Sequence, residues 1–314
     1  MRRALVALLA ACVLAVPACS GTDPRPTNNP AGAAKTTSSA GAMASGPAAT
    51  AASPTTGTEL PSPDAWIPRR PDALAADLEL TRNARRRAVE RWIASGGPAS
   101  WPPPEDVQLL TLHEQLIYRV LAANDRLAKR VLTRLDPGAA GEARANVLAG
   151  AALYEHFSPV RTLPDFRMRA PEPADTLRGY FEEGERRFGV HWELLAAVML
   201  IETRMGRIVS NSSAGAQGPM QFIPSTWAAY GLGGDVHDDH DAVLGAANYL
   251  SANGAPGDEH NALFHYNPVP AYVTAVTRYA RAMKRNADLF YAYYNWQVFV
   301  RTTRGDVRLT GPGL

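Results

Sequence analysis

Glu202 is the residue of this sequence whose surroundings most clearly favour chemistry. It falls late in an apolar segment that begins near His191, and the spacing places Leu195 and Val198 on the same helix face. A carboxyl group in apolar surroundings is expected to have a raised pKa, because desolvation penalises its charged form. An acid that stays protonated near neutral pH can donate a proton to the leaving oxygen of a glycosidic bond.

The segment from Ser212 to Trp227 combines small residues, amides and aromatic rings. Gly215 permits backbone angles that other residues avoid and lets the chain approach a ligand closely. Gln221 can donate and accept hydrogen bonds, as sugar hydroxyls and acetamide groups require. Phe222 and Trp227 offer flat apolar faces for a pyranose ring. A glycine-rich turn followed by a core helix, with Trp227 buried, is the alternative interpretation.

Over residues 177–283 the chain resembles the lytic transglycosylases of the lysozyme-like superfamily. The residues that carry the resemblance are Glu202, Ser212-x-x-Gly215-Ala216-x-Gly218-Pro219-Met220-Gln221-Phe222-x-Pro224-x-Thr226-Trp227 and Tyr266-Asn267. These motifs are more similar to those of the membrane-bound B type, a murein-degrading lipoprotein. The resemblance implies a lysozyme-like helical catalytic domain that needs no cofactor or metal. It also implies cleavage of the β-1,4 bond between N-acetylmuramic acid and N-acetylglucosamine in peptidoglycan, leaving 1,6-anhydro ends.

The resemblance also implies a role for each matching residue. Glu202 would act as general acid and then as base, and Tyr266 would hydrogen-bond or orient it. The residues expected to contact the glycan or shape its groove are Ser212, Gly215, Gln221 and Asn267. Met220 and Phe222 would form the groove wall.

Two alternative functions remain at this stage. A hydrolase needs a second carboxyl group about 5–9.5 Å from the first, and the sequence supplies none between Met205 and Tyr230. An aspartate of segment 235–241 could fill that role, which keeps a muramidase-type hydrolase open. A non-catalytic peptidoglycan-binding lipoprotein is the other alternative, although a binder has no need of a desolvated acid.

Segment 235–241 itself contains four aspartates and two histidines. It lacks the glycine and the distal glutamate of an EF-hand loop, and its histidines lack the His-Glu-x-x-His order of zinc proteases. We therefore expect these acids to precede a helix over 241–253, where negative charge favours the helix N-terminus.

The elements that must position these residues are mostly helices. Apolar spacings of three and four predict three helices in the first half of the folded part. The first ends at Gly96-Gly97, the second begins after Pro102-Pro103-Pro104, and the third covers Leu127 to Leu135 and should end at Pro137-Gly138. A further helix is expected over 143–157. The second helical set comprises 177–188, 191–205, 241–253 and 272–283. The tail 297–309 alternates with period two around a glycine-containing turn, which predicts a short C-terminal β-hairpin. The predicted fold class is mainly α.

The N-terminus reads as an export signal. A cationic head, Met1-Arg2-Arg3, precedes the apolar run Ala4 to Val16, and small residues then lead to Cys19. This resembles the site where bacterial lipoproteins are cut and lipidated. Cleavage before Cys12 would leave too short an apolar core, and ordinary secretion with an unmodified cysteine is the remaining alternative. Residues 19–71 are rich in Ala, Ser, Thr, Gly and Pro, which predicts a disordered tether.

Composition narrows the function classes. The net charge of +2 gives no strong attraction to nucleic acid. Both cysteines lie near the N-terminus, which excludes a disulfide framework or a cysteine-ligated zinc site in the folded part. The predicted organisation is a lipoprotein signal peptide (1–18), a tether (19–71), a helical accessory region (72–165) and a lysozyme-like transglycosylase domain (172–314). The expected partners are peptidoglycan glycan strands and, through a lipid anchor, the membrane, with the protein facing the cell wall. The sequence indicates no protein partner.

Overall fold

The computed structural model describes residues 59–309 and 311. The predicted signal peptide, Cys19 and most of the predicted tether lie outside the described residues. The described part forms eleven α-helices and one hairpin, which confirms a mainly α fold with a C-terminal hairpin. The elements are α1 Pro71–Ala94, α2 Glu105–Ala122, α3 Asp125–Leu132, α4 Pro137–His156, α5 Ala174–Phe188, α6 Trp192–Thr203, α7 Pro224–Tyr230, α8 Asp239–Ala252, α9 Glu259–Tyr266, α10 Pro270–Arg285, α11 Leu289–Tyr294, β1 Phe299–Thr302 and β2 Gly305–Arg308.

One helix boundary differs from the sequence prediction. Pro137-Gly138 does not end a helix but begins α4, which therefore starts six residues before the expected Ala143. The Asp136 side chain accepts a hydrogen bond from the Ala139 N–H at 2.8 Å and caps this helix. Proline is favoured in the first turn of a helix, because that turn has no partner for its N–H.

Helix α6 forms the centre of the second helical set. Its side chains are buried on every face, from Trp192 and Leu194 through Thr203. Helices α5, α8, α10 and α11 all contact it. Gly184 of α5 allows a close approach, since a Cβ there would lie 2.7 Å from Leu195 Cδ1. Burying one leucine side chain contributes about 1.5–3 kcal/mol, so this apolar helix is a rigid support for residues at its end.

The N-terminal helices pack onto this set. Helix α4 lies along α10, and α1 and α4 both pack against α2. The described residues from Leu60 onward belong to one compact unit.

The hairpin closes the described chain. Its strands are antiparallel, with Phe299 opposite Arg308 and Thr302 opposite Gly305. The hairpin is tied to the N-terminal helices, because Arg119 Nε of α2 donates to Asp306 Oδ2 of β2 at 2.9 Å. None of the helices in residues 59–309 is long and apolar enough to cross a membrane.

Candidate active site

Glu202 lies in the last turn of α6 and is 2% exposed. The following residue fixes the end of the helix. The Thr203 hydroxyl donates to the Pro219 carbonyl at 2.7 Å and accepts from the Gly206 N–H at 3.1 Å. Arg204 then turns the chain with a left-handed φ of 55°. The carboxyl group is therefore carried by a buried helix whose end is tied to segment 212–222.

The segment from Gln217 to Phe222 is a closed turn. Its end residues, Gln217 and Phe222, each donate a backbone N–H to the carbonyl of the other at 2.9 Å. Gly218 sits in this turn with φ 72°, and a Cβ there would lie 1.7 Å from the Val236 carbonyl oxygen. Only glycine fits such an approach, so the position of the turn depends on this residue.

Tyr266, the last residue of α9, binds this turn directly. Its hydroxyl donates to the Met220 carbonyl at 2.6 Å. Burial raises the pKa of the Tyr266 phenol well above its usual value, and the nearby charge of Glu202 raises it further. Glu202 and Tyr266 are thus electrostatic neighbours, and the phenol stays protonated at physiological pH. The predicted pair is brought together by two elements far apart in sequence.

Aromatic rings pack behind the turn. The Phe222 ring lies 5.1 Å from Trp227 and 6.0 Å from Tyr266, measured between centroids. Phe222 is 3% exposed and Met220 is fully buried. Their side chains belong to the core, whereas the family resemblance implies that they form a groove wall.

Two predicted binding residues carry buried amides. Asn267 has no exposed surface, and neither its Oδ1 nor its Nδ2 has a hydrogen-bond partner among the described residues. Gln221, with a left-handed φ of 51°, donates from Nε2 to the Gly218 carbonyl at 2.9 Å. Its Oε1 is likewise buried and without a hydrogen bond in this part of the chain. Unsatisfied buried amides cost free energy, so both groups keep hydrogen-bonding atoms that the described part of the protein does not engage.

Ser212 and Gly215 shape the start of the loop. The Ser212 hydroxyl accepts from the backbone N–H groups of Ala214 at 3.2 Å and Ala216 at 3.0 Å. Gly215 has φ 81°, and a Cβ there would meet no atom within 4 Å. The hydroxyl is thus occupied by the turn, while Gly215 borders open space.

Two further residues support the elements around the site. Tyr249 packs its ring 5.6 Å from Tyr266, and its hydroxyl donates to the His265 carbonyl at 2.9 Å. Asp239, at the start of α8, pairs with Arg169, which also donates to the Gly206 carbonyl at 2.9 Å. Burial raises the pKa of Asp239 to about 6, and Arg169 opposes this shift. Asp239 is one of the aspartates of segment 235–241 that the sequence offers as a second carboxyl group, whereas no sequence signal marks Tyr249, which does not follow the apolar spacing of α8.

The acidic segment before α8 serves mainly as a cap. Asp238 Oδ1 accepts from the Asp241 N–H at 3.0 Å, and Asp241 Oδ2 accepts from the Asp235 N–H at 2.9 Å. Ligand-type atoms of Asp238, His240 and Asp241 lie within 4.8 Å of one another. The His240 ring also contacts Glu183, with an Nε2 to Oε2 distance of 3.0 Å. These groups are therefore held by bonds within the protein.

Comparison with known proteins covers this same region. Residues 179–289 match the family model described as "Transglycosylase SLT domain". The predicted resemblance to lytic transglycosylases is confirmed. The match includes Glu202, the turn at 217–222 and Tyr266, so the geometry above belongs to the matched region.

A curated relative agrees with the family match. The chain is 29% identical over 114 residues to a protein named membrane-bound lytic murein transglycosylase F from Thiobacillus denitrificans. That alignment covers 35% of this chain and 24% of the relative, so the chain spans about a quarter of the relative's length. No solved structure matches the chain significantly. The nearness to the B type stays a prediction.

Proposed function

We propose that this chain is a lytic transglycosylase that cleaves the β-1,4 bond between N-acetylmuramic acid and N-acetylglucosamine and forms 1,6-anhydro ends. The observation that carries the proposal is the position of Glu202. It is a buried carboxyl group beside a protonated phenol, within the region that matches the transglycosylase family. Burial favours the neutral form of a carboxyl group, which is the form that can donate a proton.

One carboxyl group can perform both steps of this reaction. Glu202 first donates its proton to the bridging oxygen, and the bond from that oxygen to C1 of the muramic acid breaks. The C6 hydroxyl of the same sugar then attacks C1, and the Glu202 carboxylate takes the hydroxyl proton. The acid is restored, the electrons balance and no water is consumed. A hydrolase would instead need a second carboxyl group to activate water or attack C1.

The neighbouring residues position the substrate and the acid. Tyr266 holds the carbonyl of Met220 and thereby keeps the turn against Glu202. Gln221 and Asn267 would bind acetamide or hydroxyl groups of the glycan through their buried amides. Ser212 and Gly215 would shape the rim, Ser212 through its bonds to the backbone.

The same proposal includes an anchor. Lipidation at Cys19 would hold the enzyme on the outer face of the cell membrane, and the segment up to residue 71 would let the folded part reach the cell wall. Residues 72–165 would then support the catalytic region 172–314. The proposed partners are the glycan strands and, through the lipid, the membrane.

Digestion of purified peptidoglycan with matched variants tests the proposal. We expect Glu202→Gln to lower the cleavage rate by about 10²–10⁴-fold, because the shape is kept and the transferable proton is lost. Glycan binding, measured by pull-down with insoluble peptidoglycan, should persist. Glu193→Gln makes the same change in the first turn of the same helix and should cleave like the wild type.

Mass spectrometry of the released fragments separates the alternatives. Anhydro ends support the proposal, and reducing ends indicate a muramidase-type hydrolase. No release by the wild type indicates a binding protein. Cleavage by Glu202→Gln at the wild-type rate would show that another group is the acid.

A further inference from the structure

A cavity separate from the candidate active site lies between the N-terminal helices and the hairpin. Helices α2, α4 and α10, the C-terminal hairpin and Arg204 line it, and its volume is about 110 Å³. An engineered cavity of about 150 Å³ holds a benzene molecule, so this one encloses a group no larger than benzene, and the rest of a larger ligand would extend through its open side. Much of the wall is aromatic, with Tyr118, Tyr154, Tyr279, Trp296 and Phe299.

The charged residues of the wall are mostly cations. Arg119, Arg204 and Arg301 line the cavity together with one acid, Asp306. Asp306 is engaged by Arg119, with an Nη2 to Oδ2 distance of 2.6 Å. Among the described ion pairs, none involves Arg204 or Arg301. The wall therefore carries two positive charges beyond those that its own carboxylate balances.

Both of these arginines are held in place by carbonyl groups. Arg301 Nη1 donates to the carbonyls of Tyr154 and Phe157, and its guanidinium lies 3.5 Å from the Tyr154 ring centroid. Arg204 Nη1 donates to the Leu200 carbonyl. A guanidinium has five N–H donors, so each keeps further donors after these bonds. Fixed side chains lose little entropy when they bind a ligand.

The arginines also act on one another. Burial lowers the pKa of the Arg119 guanidinium, and the positive charge of Arg204 lowers it further, while Asp306 opposes both effects. A negative group between them would relieve this repulsion.

We propose that this cavity binds a carboxylate carried on a small apolar group. The planar carboxylate matches the donor geometry of a guanidinium, and the aromatic wall suits an apolar body. The source of the carboxylate is either a free small molecule or the C-terminal residue of a peptide. Arg204 follows Glu202 by two residues and ends α6, so an occupant would contact the turn that ends the helix of the candidate acid. The binding itself does not depend on the proposed function.

Isothermal titration of the full chain with benzoate tests the proposal, with benzyl alcohol as the uncharged control of similar shape. We expect saturable binding of benzoate that is at least tenfold tighter than binding of benzyl alcohol. Arg204→Gln and Arg301→Gln should each weaken benzoate binding at least tenfold. Arg281→Gln removes an arginine of α10 outside this cavity and should bind like the wild type. Thermal unfolding of each variant checks that it is folded, and Arg204→Gln decides the result if Arg301→Gln is not.

The two sources are distinguished by N-acetyl-alanyl-alanine with a free or an amidated C-terminus. Tighter binding of the free acid than of benzoate supports a peptide terminus, and the reverse order supports a small molecule. Equal binding of benzoate and benzyl alcohol would overturn the proposal. Unchanged benzoate affinity in folded Arg204→Gln would overturn it as well.

Discussion

Glu114 in the N-terminal helices and Glu202 in α6 are both 2% exposed, yet their surroundings differ. Glu114 Oε2 lies 3.0 Å from Arg85 Nε, and the Tyr118 hydroxyl donates to its Oε1 at 3.2 Å. Burial raises the pKa of Glu114, and the charge of Arg85 opposes this. Glu202 instead sits among the apolar side chains of α6 with Tyr266 as a neighbour.

The difference teaches how burial alone should be interpreted. Arg85 also pairs with Glu142, so Glu114 is part of a buried network that joins α1, α2 and α4. Such a network fixes the arrangement of the helices. Glu202 lies beside Tyr266, which binds a turn whose Gln221 amide keeps a buried oxygen without a hydrogen bond among the described residues. A buried carboxyl group therefore indicates chemistry only when the elements around it can also hold a substrate.

The largest expected effect on stability comes from breaking the Glu114 network. Arg85→Met should lower the free energy of unfolding by about 3–5 kcal/mol, because it leaves buried carboxylates without their cation. Arg86→Met, at the next position, removes an exposed pair with Glu90 and should cost at most about 0.5 kcal/mol. Urea unfolding monitored by circular dichroism measures both. Equal losses in the two variants would contradict the structural role of the network.

Asp239 gives an intermediate case, since it is buried but paired with the half-exposed Arg169. Its pKa of about 6 in the folded protein lies above the usual 3.8, so the folded state binds the proton more tightly. The resulting stabilisation is complete below pH 3.8 and is lost as the pH rises through 6.

Between pH 4 and pH 7, the wild type should therefore lose on the order of 2–3 kcal/mol of stability relative to Asp239→Asn. Unfolding curves at several pH values measure this difference, with Asp235→Asn as the exposed control. A difference that grows in the opposite direction would show that the pairing with Arg169 outweighs burial.

A smaller effect is expected from the hydroxyl of Tyr266. Tyr266→Phe leaves the Met220 carbonyl without its donor and should cost about 1–2 kcal/mol of stability, together with a lower cleavage rate. Tyr249→Phe removes a more exposed hydroxyl bond to the His265 carbonyl and should cost less. Unfolding and digestion assays on both variants make the comparison. A larger loss of cleavage in Tyr249→Phe would show that Tyr249, and not Tyr266, is the positioning residue.

The smallest effect concerns the start of the loop. Ser212→Ala should cost about 1 kcal/mol, because two backbone N–H groups lose their acceptor. Ser213→Ala changes an exposed neighbour and should leave stability unchanged. Thermal unfolding shows the difference, and an unaffected Ser212→Ala would mean that the loop holds its shape without this hydroxyl.

Most of the fold follows from local patterns in the sequence. The apolar segment of α6 and the alternation of the tail predict a helix and a hairpin that the structure contains. The prediction that Pro137-Gly138 ends a helix is wrong, because a Pro-Gly pair can end one helix or begin the next. Here the Asp136 side chain caps the helix that begins at Pro137. Helices α7 and α11 have only seven and six residues, too few for a periodic signal.

The candidate site is less accessible to such reasoning. The approach of Tyr266 to the turn at Met220 depends on how α9 packs, and only the family resemblance points to it in advance. The burial of Phe222 follows from ring contacts with Trp227 and Tyr266, which no spacing rule shows. The bonding of Ser212 to its own turn, in contrast, is a general property of serine before glycine-rich turns.

The central claim is that the C6 hydroxyl of the substrate, and not water, completes the reaction at Glu202. Digestion of peptidoglycan in ¹⁸O-labelled water, followed at once by mass spectrometry, tests it most directly. Attack by the C6 hydroxyl should give fragments that carry no solvent oxygen and are lighter by one water molecule than fragments with reducing ends. Fragments with reducing ends that carry the heavy oxygen would contradict it.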